Sequence, residues 1–177
     1  MSAERADYDL NRSYETLVAA LREWGIRYLA PTNAKPGPTP IPPAELIARL
    51  ADHPHPRLRL ALIPLFIRHP NLAESLPSQT LTPAARETLH KLYMAAVCLQ
   101  RMWHIRLSFY LENQTPLPNL FSEQLGLPRV TAENSKICLH MLAGRETFNQ
   151  FSAYEGVMDL FFEQLKLEAR NEPASPC

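Results

Sequence analysis

The chain has 177 residues, of which 46% are hydrophobic, and 18 basic residues balance 18 acidic ones to give a formal net charge of zero. A chain of this length buries roughly 70% of the surface of its unfolded form, so it can build a core without metal ions or disulfides. The neutral charge argues against a protein that mainly binds phosphate backbones, and the hydrophobic content argues against disorder of the whole chain.

The hydrophobic and cysteine patterns favour a cytoplasmic protein without a membrane segment. The longest apolar run, Leu60–Ile67, has eight residues, whereas a bilayer-spanning helix needs about 20. The first residues, MSAERADYDLNRSYE, are too charged for a secretory signal. Cys98, Cys138 and Cys177 are far apart and form no C-x-x-C pair, so neither a zinc knuckle nor a thioredoxin-type site is indicated. Free cysteines in a chain without a secretory leader sequence are typical of proteins of the reducing cytoplasm.

Residues 1–30 predict one helix followed by a short extended segment. Ser13 is a typical N-cap residue, the apolar residues that follow it share one helix face, and Gly25 stands where helices commonly end. The sequence IRYLAP after Gly25 favours an extended segment, which could join a sheet only with a strand from elsewhere in the chain.

A proline-rich arm is predicted over residues 31–43, PTNAKPGPTPIPP, in which six of thirteen residues are proline. Proline fixes φ and lacks the amide donor, so this segment cannot join a helix or a central strand. An extended, polyproline-II-like conformation is expected. The arm is either a spacer or a contact surface, and in the second case Pro38 and Pro40 are its predicted contact residues.

A helical domain is predicted over residues 44–170. Pro43 takes the first position of a helix that continues as AELIARLA, and a second helix, RLRLALIPLFIRH, is expected to kink at Pro64. The two helices are joined by Asp52-x-Pro54, and an arginine comes early in the second helix. This pair resembles a single HEAT-type repeat, but no second copy follows at a period of about 40 residues, so a solenoid is not supported.

The strongest predicted element is a helix from Ala84 to about Glu112. Thr82 and Pro83 provide an N-cap and a first helical residue, no Gly or Pro follows, and apolar residues recur every three or four positions. At 1.5 Å per residue this helix would be about 40 Å long. The expected fold is therefore all-α, an irregular helical bundle around one long central helix with a HEAT-like pair and a proline-rich arm.

Three shorter elements are predicted in the C-terminal part of the chain. A short helix is expected over residues 120–125, and Thr131 is expected to cap the next one. Ser152 and Glu155 fit a capping box that would open the last helix. Residues 171–177 are expected to be a flexible tail.

The sequence contains none of the motifs G-x-S-x-G, H-E-x-x-H, G-x-x-x-x-G-K-[ST] or G-x-G-x-x-G, so we expect no catalytic activity and no cofactor. His53 and His55 flank Pro54, and His69 follows at the far end of the next helix. Histidines two apart with a third nearby could bind Zn²⁺. Because no carboxylate beyond Asp52 supports them, surface histidines in a turn are the favoured interpretation, and these three are only weak metal candidates.

The segment 120–142 can be aligned with a helix-turn-helix. The pattern requires a branched apolar residue near Ala132 and another apolar residue near Ser135, so the match is poor. Arg129 and Lys136 would supply the positive charge toward DNA. Nucleic-acid binding through this segment is therefore an alternative function rather than the favoured one.

A group of arginines and aromatic residues marks the end of the predicted long helix. Arg101, Trp103, Arg106 and Tyr110 have the composition of protein-interface anchors. Packing of Trp103 into the core is the alternative interpretation. We expect a non-catalytic protein-binding module that uses these residues together with the arm.

Three segments resemble known groups of proteins. ETLVAALREWGIRYLA resembles the helix-then-strand opening of minimal nucleotidyltransferases, but the glycine-rich turn and the paired aspartates of those enzymes do not follow it. RLRLALIPLFIRHP and LQRMW resemble uncharacterised bacterial all-helical proteins that accompany such transferases in toxin–antitoxin-like pairs. The resemblance implies an antitoxin-like or accessory partner of a nucleotidyltransferase. Self-association stays open, and no membrane contact is expected.

Overall fold

The computed structural model describes residues 2–30, 40–78, 80–112, 114–144 and 150–171. Within these ranges the chain forms eight α-helices and one 3₁₀-helix and contains no β-strand, so the expected all-α fold is confirmed. The α-helices are α1 (Ser2–Glu23), α2 (Pro43–Asp52), α3 (Pro56–Leu60), α4 (Leu62–Arg68), α5 (Pro83–Met102), α6 (His104–Ser108), α7 (Ser135–Ala143) and α8 (Phe151–Asn171), and the 3₁₀-helix is Pro70–Ser78. Over the described part of the chain, no helix combines the length and the apolar character that crossing a membrane requires.

The α5 helix lies at the centre of the core. Every residue from 92 to 100 is buried, and α2, α4 and α7 pack against this helix. All eight α-helices contribute buried apolar side chains to one cluster, among them Leu17, Leu46, Leu58, Ile63, Val97, Leu107, Leu139 and Phe161. The N-terminal helix therefore belongs to the same core as the helices of residues 44–170.

The central helix is shorter than the sequence predicts. Its start is as expected, because the Thr82 hydroxyl accepts a hydrogen bond from the Ala85 amide at 3.2 Å. It ends at Met102, where Trp103 leaves the helical conformation with φ −110° and ψ 15°. The predicted helix to Glu112, about 40 Å long, is therefore wrong, and α5 itself is about 30 Å long. The break lies where Trp103 packs against Phe162 of α8, a contact that helical periodicity does not encode.

The first helix begins earlier than its predicted cap. Ser13 lies inside α1, which already starts at Ser2, because the intervening residues include neither Gly nor Pro and continue the helix. Gly25 ends the helix as predicted: it has φ +76°, and the Ile26 amide donates to the Leu21 carbonyl at 2.8 Å. This is the left-handed termination for which glycine is suited.

The extended segment after Gly25 is irregular rather than a strand. Ile26 and Leu29 are buried in the core. The backbone between them is held by a side chain of α8, because the Gln164 Oε1 atom accepts from the Arg27 amide at 2.7 Å. A side-chain amide therefore supplies the partner that an adjacent strand would otherwise provide.

The predicted HEAT-like pair is interrupted. The first helix, α2, starts at Pro43 as expected, but the second is divided into α3 and α4 at Ala61. Pro64 cannot donate to the carbonyl of Leu60, so the expected disturbance of the helix is confirmed. Both α2 and α4 pack against α5, and the HEAT-type resemblance stays a prediction.

Local structure in the C-terminal part differs from the predictions in three places. Residues 122–126 form a turn instead of a short helix, and the Leu127 amide donates to the Ser122 carbonyl at 2.8 Å across that turn. Thr131 caps a turn that precedes α7 rather than the helix itself, since its hydroxyl accepts from the Asn134 amide at 3.4 Å. Ser152 lies inside α8 instead of before it, because α8 begins one residue earlier, at Phe151.

Candidate functional site

The four predicted interface residues divide into two groups, and Arg101 belongs to the internal one. Its Nη2 atom donates to the Leu117 carbonyl at 3.2 Å, and its Nε atom is buried without a partner in the described structure. Tyr110 is partly buried and packs against the core. Arg101 and Tyr110 therefore support the fold; they are partly buried, as Trp103 and Arg106 are, and their use as contact residues stays a prediction.

Gln100 is a structural residue that the sequence prediction missed. It is buried on α5, its Oε1 atom accepts from the Leu117 amide at 2.7 Å, and its Nε2 atom donates to the Thr115 carbonyl at 3.0 Å. Gln100 and Arg101 thus fasten the chain after α6 to the central helix. A glutamine on an otherwise apolar helix face is the signal that could have identified it, because buried polar side chains need partners.

Trp103 and Arg106 form an ordered aromatic–cation stack with α8. The Trp103 and Phe162 rings meet edge to face, with centroids 5.9 Å apart at 76°. The Arg106 guanidinium carbon lies 3.9 Å from the Phe162 centroid and 5.8 Å from that of Trp103. A cation over an aromatic face contributes about 0.5–1 kcal/mol at exposed sites. These side chains are half-buried and held in place, so a partner would meet them already ordered.

Two large apolar side chains in the same segment, Ile105 in α6 and Phe109 just after it, are exposed to solvent. Ile105 is 65% exposed and Phe109 is 78% exposed. Residues four apart lie next to each other on a helical turn, so the two form one apolar patch. We call Trp103, Ile105, Arg106 and Phe109 together the α6 surface. Ile105 and Phe109 were not predicted, because the helix pattern does not show which face stays uncovered.

Other exposed apolar residues are distributed over α1, α7 and α8. They are Tyr8, Leu10, Ile137, Met141, Leu160 and Leu167. Ile137 and Met141 are four apart on α7 and form a second exposed apolar pair, whereas single exposed apolar residues are common on protein surfaces and by themselves indicate no function. In the predicted arm, Pro38 lies outside the described residues, and Pro40 is exposed.

The three histidines considered for a metal make separate local contacts. His53 Nδ1 accepts from the His55 amide at 3.1 Å, and His55 Nδ1 accepts from the Arg57 amide at 3.3 Å at the start of α3. His69 Nε2 lies 2.7 Å from the Trp24 carbonyl oxygen. Among the described residues, no three His, Cys, Asp or Glu side chains are grouped to hold a metal ion.

The pKa values of two of these histidines lie below their ordinary value. Burial is the main cause for both His53 and His69. For His69, the neighbouring Arg68 charge lowers the pKa further, and the hydrogen bond to Trp24 partly opposes the shift. The folded protein therefore favours the neutral rings, which fits their role as local hydrogen-bonding groups.

The segment 120–142, which would bind nucleic acid in the alternative function, lacks the first helix of a helix-turn-helix. Only α7 is helical within the described residues of segment 120–142, so the two-helix arrangement of a helix-turn-helix is not formed. Arg129 and Lys136 are both exposed. The Arg129 carbonyl accepts from the Asn134 side chain at 3.0 Å, which orders the turn before α7.

The cysteines of the core are poor nucleophiles. Cys98 and Cys138 are buried and not disulfide-bonded. Burial raises the pKa of both thiols, so they stay protonated at neutral pH. Cys177 lies outside the described residues.

The α6 surface is thus the place where predicted and newly found residues combine. It joins two predicted residues, Trp103 and Arg106, to two that only the tertiary structure identifies, Ile105 and Phe109. Comparison of the chain with protein-family models, with curated proteins and with solved structures finds no match.

Proposed function

We propose that this protein is a non-catalytic protein-binding module and that the α6 surface is its contact site. The observation that carries the proposal is the exposure of Ile105 and Phe109 side by side. Burying a large aromatic side chain in a partner contributes much of the energy of a typical interface. The proposal does not depend on any reactive group.

The neighbouring stack makes this surface suited to binding. Trp103 and Arg106 are already held against Phe162, so their side chains lose little conformational freedom when a partner docks. Aromatic and arginine side chains are enriched among the residues that contribute most to interfaces. A partner that places an apolar side chain over Ile105 and Phe109 would lie next to Arg106, which is three residues from Phe109 and is held against Phe162.

A more specific form of the proposal is that the partner is a nucleotidyltransferase, as in toxin–antitoxin-like pairs. It rests on the resemblance of RLRLALIPLFIRHP and LQRMW to proteins that accompany such enzymes. Binding of nucleic acid through Arg129 and Lys136 is the alternative, and reversing both charges in a gel-shift assay would test it.

The test compares two variants that remove exposed apolar surface at different places. Ile105→Ser combined with Phe109→Ser removes the patch, and Leu167→Ser on α8 is the matched control, because Leu167 is 56% exposed. Exposed substitutions usually change stability by less than about 0.5 kcal/mol, so all the proteins should fold. Each tagged protein is used to capture partners from a lysate of its source organism, and light scattering measures self-association.

We expect the wild type and Leu167→Ser to capture the same stoichiometric partner and the double variant to lose it. A photo-crosslinking residue placed at position 109 should join the chain to that partner. If the partner is a second copy of this chain, light scattering shows a dimer that the double variant abolishes. Equal capture by all three proteins, or none by the wild type, would overturn the proposal.

A further inference from the structure

A second site lies on another part of the molecule, in a cleft of about 450 Å³ between α1, α3 and α8. Tyr14 of α1, Tyr28 in the segment after α1, Arg57 of α3 and Leu160 of α8 are among the residues that line it. Pockets for small molecules commonly have volumes of about 300–1,000 Å³. The cleft therefore has room for a small ligand.

One side of the cleft is apolar. Leu29, Leu60, Val157 and Leu160 supply its hydrocarbon wall, and Gly156 lies among them. A Cβ atom at Gly156 would meet no heavy atom within 4 Å, so the space above this residue is open. Such a wall favours a hydrocarbon group, because apolar surface removed from water stabilises a complex.

The polar side of the cleft offers hydrogen-bond donors. The Tyr28 hydroxyl is shielded from solvent and has no hydrogen-bond partner in the described structure. Burial raises the pKa of Tyr28, so its hydroxyl stays protonated and can donate. Tyr14 contributes a second phenol, whose ring lies 5.1 Å from that of His55. Because the Tyr28 hydroxyl is shielded even with the cleft empty, Tyr14 and Arg57 are the polar residues of the lining that remain to contact a ligand.

The charge of the cleft favours an anion. Arg57, which is exposed, is the only charged residue that lines the cleft among the residues that the structure describes, and no carboxylate side chain lines it there. Arginine matches the two oxygens of a carboxylate with paired donors. A neutral hydrocarbon would leave Arg57 without an anionic partner, and a cationic ligand would be repelled by Arg57, so both fit less well.

We propose that this cleft binds a small amphipathic carboxylate, with the carboxylate group at Arg57 and Tyr14 and the apolar tail over Gly156 and Leu160. This site is separate from the α6 surface and does not depend on the proposed protein-binding function. The tail can be aliphatic or aromatic, because the same donors would recognise the carboxylate group in either kind of ligand.

The experiment titrates the whole protein with four probes by isothermal titration calorimetry, each below its micelle-forming concentration. Decanoate and 4-phenylbutyrate represent the two kinds of tail. Decanol has the aliphatic tail without the charge, and decyltrimethylammonium has the opposite charge. We expect saturable binding of at least one carboxylate, at least about tenfold tighter than that of decanol and of the cation.

Three variants locate the site. Arg57→Gln should weaken carboxylate binding by about tenfold or more and leave decanol binding unchanged. Gly156→Leu should fill the cleft and abolish binding of all probes. A thermal unfolding curve of this variant checks that it is folded. Arg129→Gln, which removes an exposed arginine elsewhere, is the matched control and should bind like the wild type.

The double variant at Ile105 and Phe109 should also bind the carboxylate like the wild type, which separates this proposal from the previous one. Absence of saturable carboxylate binding would overturn the inference. Equal affinities for decanoate, decanol and the cation would do so as well, and so would wild-type affinity in Arg57→Gln or Gly156→Leu.

Discussion

His69 and Trp24 make two contacts with each other across the interface between α4 and the end of α1. The His69 Nε2 atom lies 2.7 Å from the Trp24 carbonyl oxygen, and the two rings meet edge to face with centroids 5.1 Å apart. The contact joins residues 45 positions apart in the chain. Because a histidine is at its centre, the contact links the stability of the fold to pH.

We predict that the free energy of unfolding decreases as the pH falls below about 6.5. Burial holds the pKa values of His53, His69 and His90 below their ordinary value in the folded protein. Between the lowered pKa and that of the unfolded chain, the unfolded state binds more protons, so acidification favours unfolding. Urea unfolding measured from about pH 8 to pH 5 tests this.

The contribution of His69 can be separated with His69→Gln. The two proteins are compared first at pH 8, where His69 is neutral because its pKa is lowered, so the difference reports packing and hydrogen bonding alone. Below pH 6.5 the variant should lose stability less steeply than the wild type. A wild-type unfolding midpoint that does not change between pH 8 and pH 5 would contradict the prediction.

We predict opposite effects of alanine at two glycines. Gly25 has φ +76°, and a Cβ there would lie 2.7 Å from the Arg68 Nε atom, so Gly25→Ala should cost about 1–2 kcal/mol. Gly156 lies inside α8 with open space above it. Gly156→Ala should therefore raise the stability by up to about 1 kcal/mol, because alanine favours the helix.

Chemical denaturation of the two alanine variants gives the comparison directly. The pair is informative because the substitution is the same and only the backbone conformation and the surroundings differ. Equal changes in the unfolding free energy, or a more stable Gly25→Ala protein, would show that the termination of α1 does not require glycine.

We predict that Gln164 is essential for the stability of the turn after α1. Its Oε1 atom accepts from the Arg27 amide at 2.7 Å, and its Nε2 atom donates to the Gly25 carbonyl at 2.6 Å. Gln164→Leu has a similar volume but removes both bonds to these partly buried backbone groups, and a hydrogen bond typically contributes about 0.5–1.5 kcal/mol. A loss of about 1–3 kcal/mol is expected in urea unfolding.

The neighbouring residue provides the control for that prediction. Glu163 is exposed and forms an ion pair with Lys166, one turn away on the same helix. Exposed ion pairs are worth about 0–1 kcal/mol, so Glu163→Gln should change the stability little. Similar losses in the two variants would mean that the bonds of Gln164 do not hold the turn.

Features set by neighbouring residues along the chain could be predicted. Thr82 and Pro83 identified the start of α5, Gly25 the end of α1, and Pro64 the break between α3 and α4. In each case a side chain acts on backbone groups within about one helical turn, so the information is local. The all-α class followed from the same helix patterns.

Features set by contacts between distant residues could not be predicted. The end of α5 at Met102 coincides with the packing of Trp103 on Phe162, and the absence of a strand after Gly25 is explained by Gln164. These partners lie far apart in sequence, and nothing in the local pattern pairs them. Extended and irregular backbone look alike until the partner of each amide is known.

The amino-acid sequence by itself determined the helical class, most helix starts and the kinds of residue available for binding, because these depend on short-range backbone and side-chain preferences. Only the tertiary structure decided which of those residues remain exposed. In the folded protein, Arg101 donates to the Leu117 carbonyl, Ile105 and Phe109 remain exposed, and an open cleft lies beside Gly156. Exposure is what remains after the helices have packed together, so it is a property of the whole fold and not of any one segment.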